Sequence, residues 1–463
     1  IMAKQGALRA LSHRNFRLFF VGQGISLTGT WMQQVAMSWV VYLLTRNQSL
    51  DHQDASAYWL GLVGFAGQIP AFFLAPVAGV FADHVNRHRL IMLTQTLAMA
   101  QAFLLAGLMF AGVLNVAGIL ALAVFLGLIN AFDMPARQAF LSEMIDDKEH
   151  LSNAIALNSS MFNAARLVGP ALAATLLAAV GPALCFLLNA LSYVAVLFAL
   201  RAMRVAPRQK ATSVTGVSRK LYDGFRYVAG FAPIRAILLL VALVSLAGTS
   251  FSVLLPLIAV QTLGGEAGTF GMLTIASGLG ALSGAVFLAT RTTVVGLGRW
   301  IAVAPLLLAA GLAVLGVSAS LWLSLAALVI VGFGMMVQMG ASNILVQTLV
   351  DEDKRGRVMS FYTMAFVGLA PFGSLAAGMI ASRYGLSTAL FIAAAGCGFG
   401  GLLFGSQLPR LRRIVRPHYV KLGILPEIPS AVHPTVAPPS PNVDPLKDGP
   451  LDLKPLEAEP LKE

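Results

Sequence analysis

Long apolar runs separated by brief polar breaks follow one another along the chain from Phe16 to Gln407. A helix needs about 20 apolar residues to cross the hydrocarbon core of a bilayer. Runs of that length predict twelve spanning helices, at residues 16–45, 57–83, 89–112, 115–134, 152–180, 183–203, 234–262, 268–290, 298–318, 321–347, 357–382 and 386–407. The pattern is that of an all-α polytopic membrane protein. One longer break, 204–233, is polar and basic, and its part Ser218–Val228 spaces Leu221, Phe225 and Val228 onto one face. It reads as a cytoplasmic linker carrying a short amphipathic helix that lies in the membrane interface. The linker separates an N-terminal six-helix bundle, 1–203, from a C-terminal one, 234–408. From residue 409 to 463 the apolar pattern ends, and Pro426, Pro429, Pro434, Pro438, Pro439, Pro441 and Pro445 mark an expected disordered Pro-rich cytoplasmic tail.

The charges orient this array. Of 32 Lys and Arg residues, 29 fall on one side of the predicted membrane, with Arg46 and Arg383 on the other and Arg166 inside a span. Lys/Arg-rich loops stay cytoplasmic during insertion, so both termini are expected in the cytoplasm and the protein in the inner membrane. Only 11% of residues are charged and 57% are hydrophobic, where soluble domains run at about 25% charged. The net charge of +12 does not point to nucleic acid, because the basic residues sit beside membrane ends and form no single stripe. They serve topology and favour the anionic headgroups of membrane lipids, an expected partner. Cys185 and Cys397 both fall within apolar helices, so neither is expected in a disulfide. No cleavable signal is expected either, since the first apolar run is far too long for one.

The two halves read as parallel pseudo-repeats. Asp147-Lys148-Glu149, followed by Gly169-Pro170 and Gly181, recurs 204 residues later as Asp351-Glu352-Asp353, followed by Gly373 and Gly385. Both sets fall at the fifth helix of a six-helix half.

Between the second and third spans runs Gly79-Val80-Phe81-Ala82-Asp83-His84-Val85-Asn86-Arg87-His88-Arg89. This resembles the loop signature of the major facilitator superfamily. The resemblance implies that fold, with Gly79 permitting close helix approach, Asp83 capping the eleventh helix and Arg87 reaching Asp133 on the fourth. These contacts would lock one conformation. His84, Asn86 and His88 depart from the pattern, and the second-half counterpart around 287–299 lacks the acid, so one lock is expected. The run from Asn158 to Pro170, with Pro135-Ala136-Arg137 before it, is similar to the drug:proton antiporter branch that includes the enterobactin exporter. Asn15-Phe16-Arg17, Gly22-Gln23, Thr30-Trp31-Met32-Gln33 and Trp39 in the first span fit the same branch. Gly169-Pro170 also resembles the fifth-helix signature of exporting antiporters, which implies a bend beside a central cavity and movement outward. Ala173 and Ala174 stand where that signature has glycines.

Arg166 is the most deeply placed cation, and Ser159, Asn163, Arg166 and Pro170 share its helix face. A charge at that depth must face a cavity or a partner. It reads either as an anion-attracting site or as a structural arginine satisfied between helices. Gln23, Ser26, Thr30 and Gln33 form a polar stripe on the first span, lining a substrate path or hydrogen-bonding between helices. Gln338 and Ser342 on the tenth span, with Ser245, Thr249 and Ser252 on the seventh, are candidates for the opposing wall. Trp31, Trp39 and Phe251 read as packing aromatics or as stacking partners for a substrate. Asp133, the one acid besides Asp83 inside a predicted span, reads as a proton-coupling group or as a permanent salt bridge.

No phosphate-cradling GxxxxGK[ST], HExxH or nucleophile elbow occurs, and His and Cys are scattered, so neither an enzyme nor a metal site is expected. No cofactor is expected beyond an ion gradient, with H⁺ favoured. The function expected is export of a small amphipathic or anionic compound, siderophore- or drug-like, by a secondary transporter acting as a monomer. Two alternatives stay open: a lysophospholipid transporter of the same fold, and a non-transporting receptor or secretion partner.

Overall fold

The computed structural model describes residues 8–50, 53–145, 148–205, 225–291, 293–421 and 424. Most of the expected linker helix and of the expected tail lies outside the described residues. Twelve helical rods follow one another: α1 (Arg14–Thr45), α2 (Ala55–His84), α3 (Arg87–Phe110), α4 (Val116–Phe140), α5 (Lys148–Ala179) and α6 (Pro182–Ala202). The seventh, α7, is broken into Ala232–Gly248, Phe251–Leu257 and a π turn at Ile258–Thr262. Then come α8 (Ala267–Ala289), α9 (Leu297–Val317) and α10 (Leu321–Leu349). The eleventh, α11, joins Glu352–Thr363 to Ala370–Tyr384 through a π turn at Met364–Gly368, and α12 is Leu386–Lys421. Eleven of the twelve are apolar and long enough to cross a bilayer. The exception is α1, where Gln23, Ser26, Thr30, Gln33 and Gln34 dilute the apolar surface.

Local chemistry sets the helix starts. Asp54 accepts from the backbone N–H of Ser56, Asn86 from that of Arg89 and Asn115 from that of Gly118, each supplying the acceptor that a first helical turn lacks. Gly181 and Gly385, the paired glycines of the sequence repeat, adopt φ +82° and +89° and open α6 and α12 alike. That left-handed conformation favours glycine, so the same device turns the chain at the same place in each half.

Two helices run well past their expected C-terminal ends. α4 continues to Phe140 through Pro135, because Ala136 and Phe140 keep its buried face going. α12 continues to Lys421, so residues 409–421 belong to a helix and not to the tail, with Leu411 and Val415 still buried.

In the N-terminal half α1 packs on α5 and α6, α2 on α4, and α3 on α4 and α6; in the other half α10 packs on α8 and α9. The halves meet where α2 lies on α11 and α5 on α8. Gly61 and Gly378 bring α2 and α11 together so closely that a Cβ on either would fall 2.7 Å from the Cα of the other. Gly271 on α8 meets Ala174 on α5, Trp39 stacks on Phe270 at 5.8 Å, and Phe72 fills the space beside Gly368. Among the described residues these contacts run from mid-helix to the end bearing the α1–α2, α5–α6, α7–α8 and α11–α12 connections.

Candidate functional site

Arg166 sits about 27 Å along α5 from its first residue. It is half-buried, and its guanidinium carbon lies 5.8 Å from the centre of the Trp31 ring on α1. Trp31 in turn meets Phe162 edge-on at 5.8 Å. Gly169 makes this arrangement possible, since a Cβ there would fall 2.5 Å from Cβ of Trp31. The glycine is therefore a close-approach residue between α1 and α5, whatever its adjoining Pro170 does to the helix.

Among the described residues no carboxylate or hydrogen-bond acceptor is paired with Arg166. A cation–π contact is worth about 2 kcal/mol when desolvated, well short of the hydration a buried guanidinium gives up. Ser159 and Asn163 lie on the same face, with Asn163 donating to the Ser159 carbonyl at 2.9 Å. The opposite face of α5 carries Val168 and Leu172, each more than two-fifths exposed, as a lipid-facing surface would. The polar face of α5 thus turns away from lipid.

The α1 stripe divides between two jobs. Gln33 is buried and donates to Gln101 at 3.1 Å, while Asn189 donates to its carbonyl at 2.7 Å, so it ties α1 to α3 and α6. Interhelical hydrogen bonding, one of its two expected roles, engages both ends of its amide. Ser26 is buried, and Thr30 donates to its carbonyl and lies 3.2 Å from the Tyr193 hydroxyl. Gln23 is buried with its carbonyl oxygen unmatched among the described residues, and Gln338 is in the same condition although it donates to Ser342. Ser245 donates to the Phe366 carbonyl, within the π turn of α11.

The expected Arg87–Asp133 contact is not formed. Arg87 pairs with Glu143 at 2.8 Å, and Asp133 pairs with Arg137 at 2.7 Å. Helical spacing explains the exchange. Arg137 stands one turn from Asp133 on the same face, whereas Glu143 follows the end of α4, nearer to Arg87 at the start of α3. Asp133 also accepts from Thr94 at 2.7 Å and Gln95 at 2.9 Å, while the carbonyl oxygen of Gln95 and the Nε of Arg137 find no hydrogen-bond partner among the described residues. The packing around Gly79 and the side chain of Asp83 lie outside what the structure describes.

The sequence assigns no partner to Arg137, which appears there only within a motif, and no role to Glu143, Gln101 and Asn189. Arg137 carried a readable signal, the i, i+4 spacing from an acid, while the others needed the fold to bring them together.

The transmembrane secretion effector family model matches residues 5–416. The chain is 25% identical over 375 residues to the staphyloferrin A transporter of Staphylococcus aureus, covering 80% of this chain and 90% of that protein. It is 27% identical over 409 residues to the multidrug efflux pump Tap of Mycolicibacterium fortuitum, covering 85% and 93%. The human organic anion transporter MFSD10 superposes with a TM-score of 0.62 over 84% of this chain and 99% of that one. At 17% identity that last likeness is one of fold alone.

Proposed function

The chain belongs to the transmembrane secretion effector family of the major facilitator superfamily and is a multi-pass membrane transporter, not an enzyme; from this we propose that it exports small organic anions from the cytoplasm. The observation that carries the reading is Arg166, a half-buried guanidinium with no acid beside it, on the polar face of α5. An anion entering that face supplies the missing partner, and Trp31 and Phe162 offer an apolar and aromatic wall for its body. Siderophore-like or drug-like acids fit this chemistry better than cations, since no span of the C-terminal half carries an acid at comparable depth. The names of the two relatives, a staphyloferrin A transporter and a multidrug efflux pump, lend support to both classes.

The charge distribution favours an inner-membrane orientation with both termini cytoplasmic. In that orientation the α2–α11 and α5–α8 contacts close the outer end, an inward-facing member of an alternating cycle. Separation of those contacts would open the outer side. Arg87–Glu143, with Gly79 and Asp83 on the last turns of α2, takes the place of the expected Arg87–Asp133 lock at the inner end. The driving ion is a proton in this reading, and Asp133 is the candidate carrier only if its pairing with Arg137 breaks during the cycle.

The test is uptake into inside-out vesicles, with and without an acidic interior. The panel holds a catecholate siderophore, a cationic dye and a lysophospholipid. Gradient-dependent uptake of the siderophore, lost in Arg166→Ala at equal protein abundance, is the expected result. Uptake of the dye alone, or equal siderophore uptake by the variant, would retire the anion reading.

A further inference from the structure

The inner end of α12 carries a cluster of cations that transport does not use. Arg410, Arg412, Arg413 and Arg416 are all exposed, and among the described residues no carboxylate pairs with any of them. They are not scattered around the helix. At about 100° per residue, Arg410, Arg413 and Arg416 share an arc of about 120°, with Arg412 at its edge. Leu411 and Val415, 6% and 8% exposed, occupy the opposite side and pack into the protein.

The same arc, followed up the helix, is the surface that α12 offers to lipid. Phe399 and Leu402 are 64% and 65% exposed and fall within it, as do Phe391 and Ile392, and Leu403, 46% exposed, stands about 20° beyond its edge. The arginines therefore stand directly below a stripe of lipid tails and not below a protein neighbour. Depth agrees with direction. The hydrocarbon core takes up about 20 residues of α12 beyond Leu386, which puts Arg410 about 6 Å and Arg416 about 15 Å past it. A headgroup layer of the bilayer spans much of that distance, and arginine side chains reach back toward the interface from beyond it.

We propose that Arg410, Arg412, Arg413 and Arg416 form a binding site for the phosphates of anionic phospholipids at the inner leaflet, holding α12 to its lipid neighbours. Guanidinium forks match phosphate oxygens in pairs, and a juxtamembrane basic cluster of this size is what an anionic leaflet attracts. The site is independent of the substrate identity proposed above.

The full chain in detergent is offered phosphatidylglycerol or phosphatidylcholine, and retained lipid is counted by native mass spectrometry. Wild type is expected to retain phosphatidylglycerol at least tenfold more strongly. Changing all four residues, Arg410→Gln, Arg412→Gln, Arg413→Gln and Arg416→Gln, should remove most of that preference. Arg201→Gln with Arg204→Gln, at the inner end of α6, should leave it intact. If the fourfold variant fails to fold, wild type alone still decides. Raising salt from about 0.1 M to 1 M shortens the Debye length from about 10 Å to about 3 Å and should release the lipid. Equal retention of the two lipids, retention that survives high salt, or displacement by inorganic phosphate as effective as by lipid would each overturn the proposal.

Discussion

The two halves share a helix plan but divide the chemistry unequally. The N-terminal half holds the deep charges: Arg166 on α5, and the buried Asp133 with its partner Arg137 on α4. The C-terminal half carries no charged residue at 236–265, 267–290, 300–350 or 358–382, which takes in the middle of each span from α7 to α11. What distinguishes that half is irregular backbone, a break at Thr249–Ser250 and π turns in α7 and α11. Such turns are frequent at functional sites and interrupt a helix without ending it. The contrast suggests that one half recognises the cargo and the other bends around it.

The hardest blow to that division would come from Arg166. Arg166→Ala is expected to lower transport of an anionic substrate about a hundredfold, from losing a charge-assisted contact worth about 1.5–3 kcal/mol, with abundance unchanged. Arg166→Lys should recover part of it, because a point charge replaces a planar fork. A deep acid introduced in the C-terminal half with no effect on transport would strengthen the asymmetry further.

Asp133 makes a sharper test, because structural and coupling roles give different signatures. Asp133→Asn strands Arg137 in a mostly buried site, and about 3 kcal/mol of stability should be lost. Asp133→Asn combined with Arg137→Gln should restore abundance, as removing both partners costs less than removing one. If the double variant is abundant and transports without responding to pH, the pair couples protons. Full pH-dependent transport by it would leave the pair a structural bridge.

The meeting of the halves is tested at Gly378. In Gly378→Val the new side chain would collide with the Ala57 carbonyl and with Gly61, pushing α2 from α11. Transport should fall about tenfold if closure of this end is part of the cycle, since a displacement near 1 Å is already costly in packed interfaces. Ser374, buried beside Gly64, reports the change: a cysteine there should label faster in the Gly378→Val background.

Much of this is legible in the chain itself. Twelve apolar runs announced twelve rods, and the glycines at Gly181 and Gly385 marked equivalent turns. Arg166 stood out because a cation inside an apolar run has few explanations. Partner choice was not legible. Gln33 on a polar stripe looked as suited to a pore as to a buried network, and only its placement between Gln101 and Asn189 decides. Arg87 was expected to meet Asp133, but α4 runs on past Pro135 and Glu143 just beyond its end takes the guanidinium instead. Helix ends failed for a related reason. Proline announces a stop, but buried Phe140 on α4 and Val415 on α12 continue their faces beyond one.

The smallest expected effect probes the half with the irregular backbone. The hydroxyl of Ser245 donates to the Phe366 carbonyl, a group inside the π turn of α11, and so ties α7 to the irregular stretch. Ser245→Ala removes the donor but leaves the carbonyl, at a cost of about 1 kcal/mol in stability. That loss alone would be unremarkable for a buried hydroxyl. If the π turn is a hinge, however, untying it should shift the balance between the two faces of the transporter while substrate affinity at Arg166 stays the same. Labelling rates at residue 374 and the substrate Kd, measured together, separate the cases. A changed labelling rate with an unchanged Kd supports a binding half and a bending half, and a changed Kd would show that the two halves share the site.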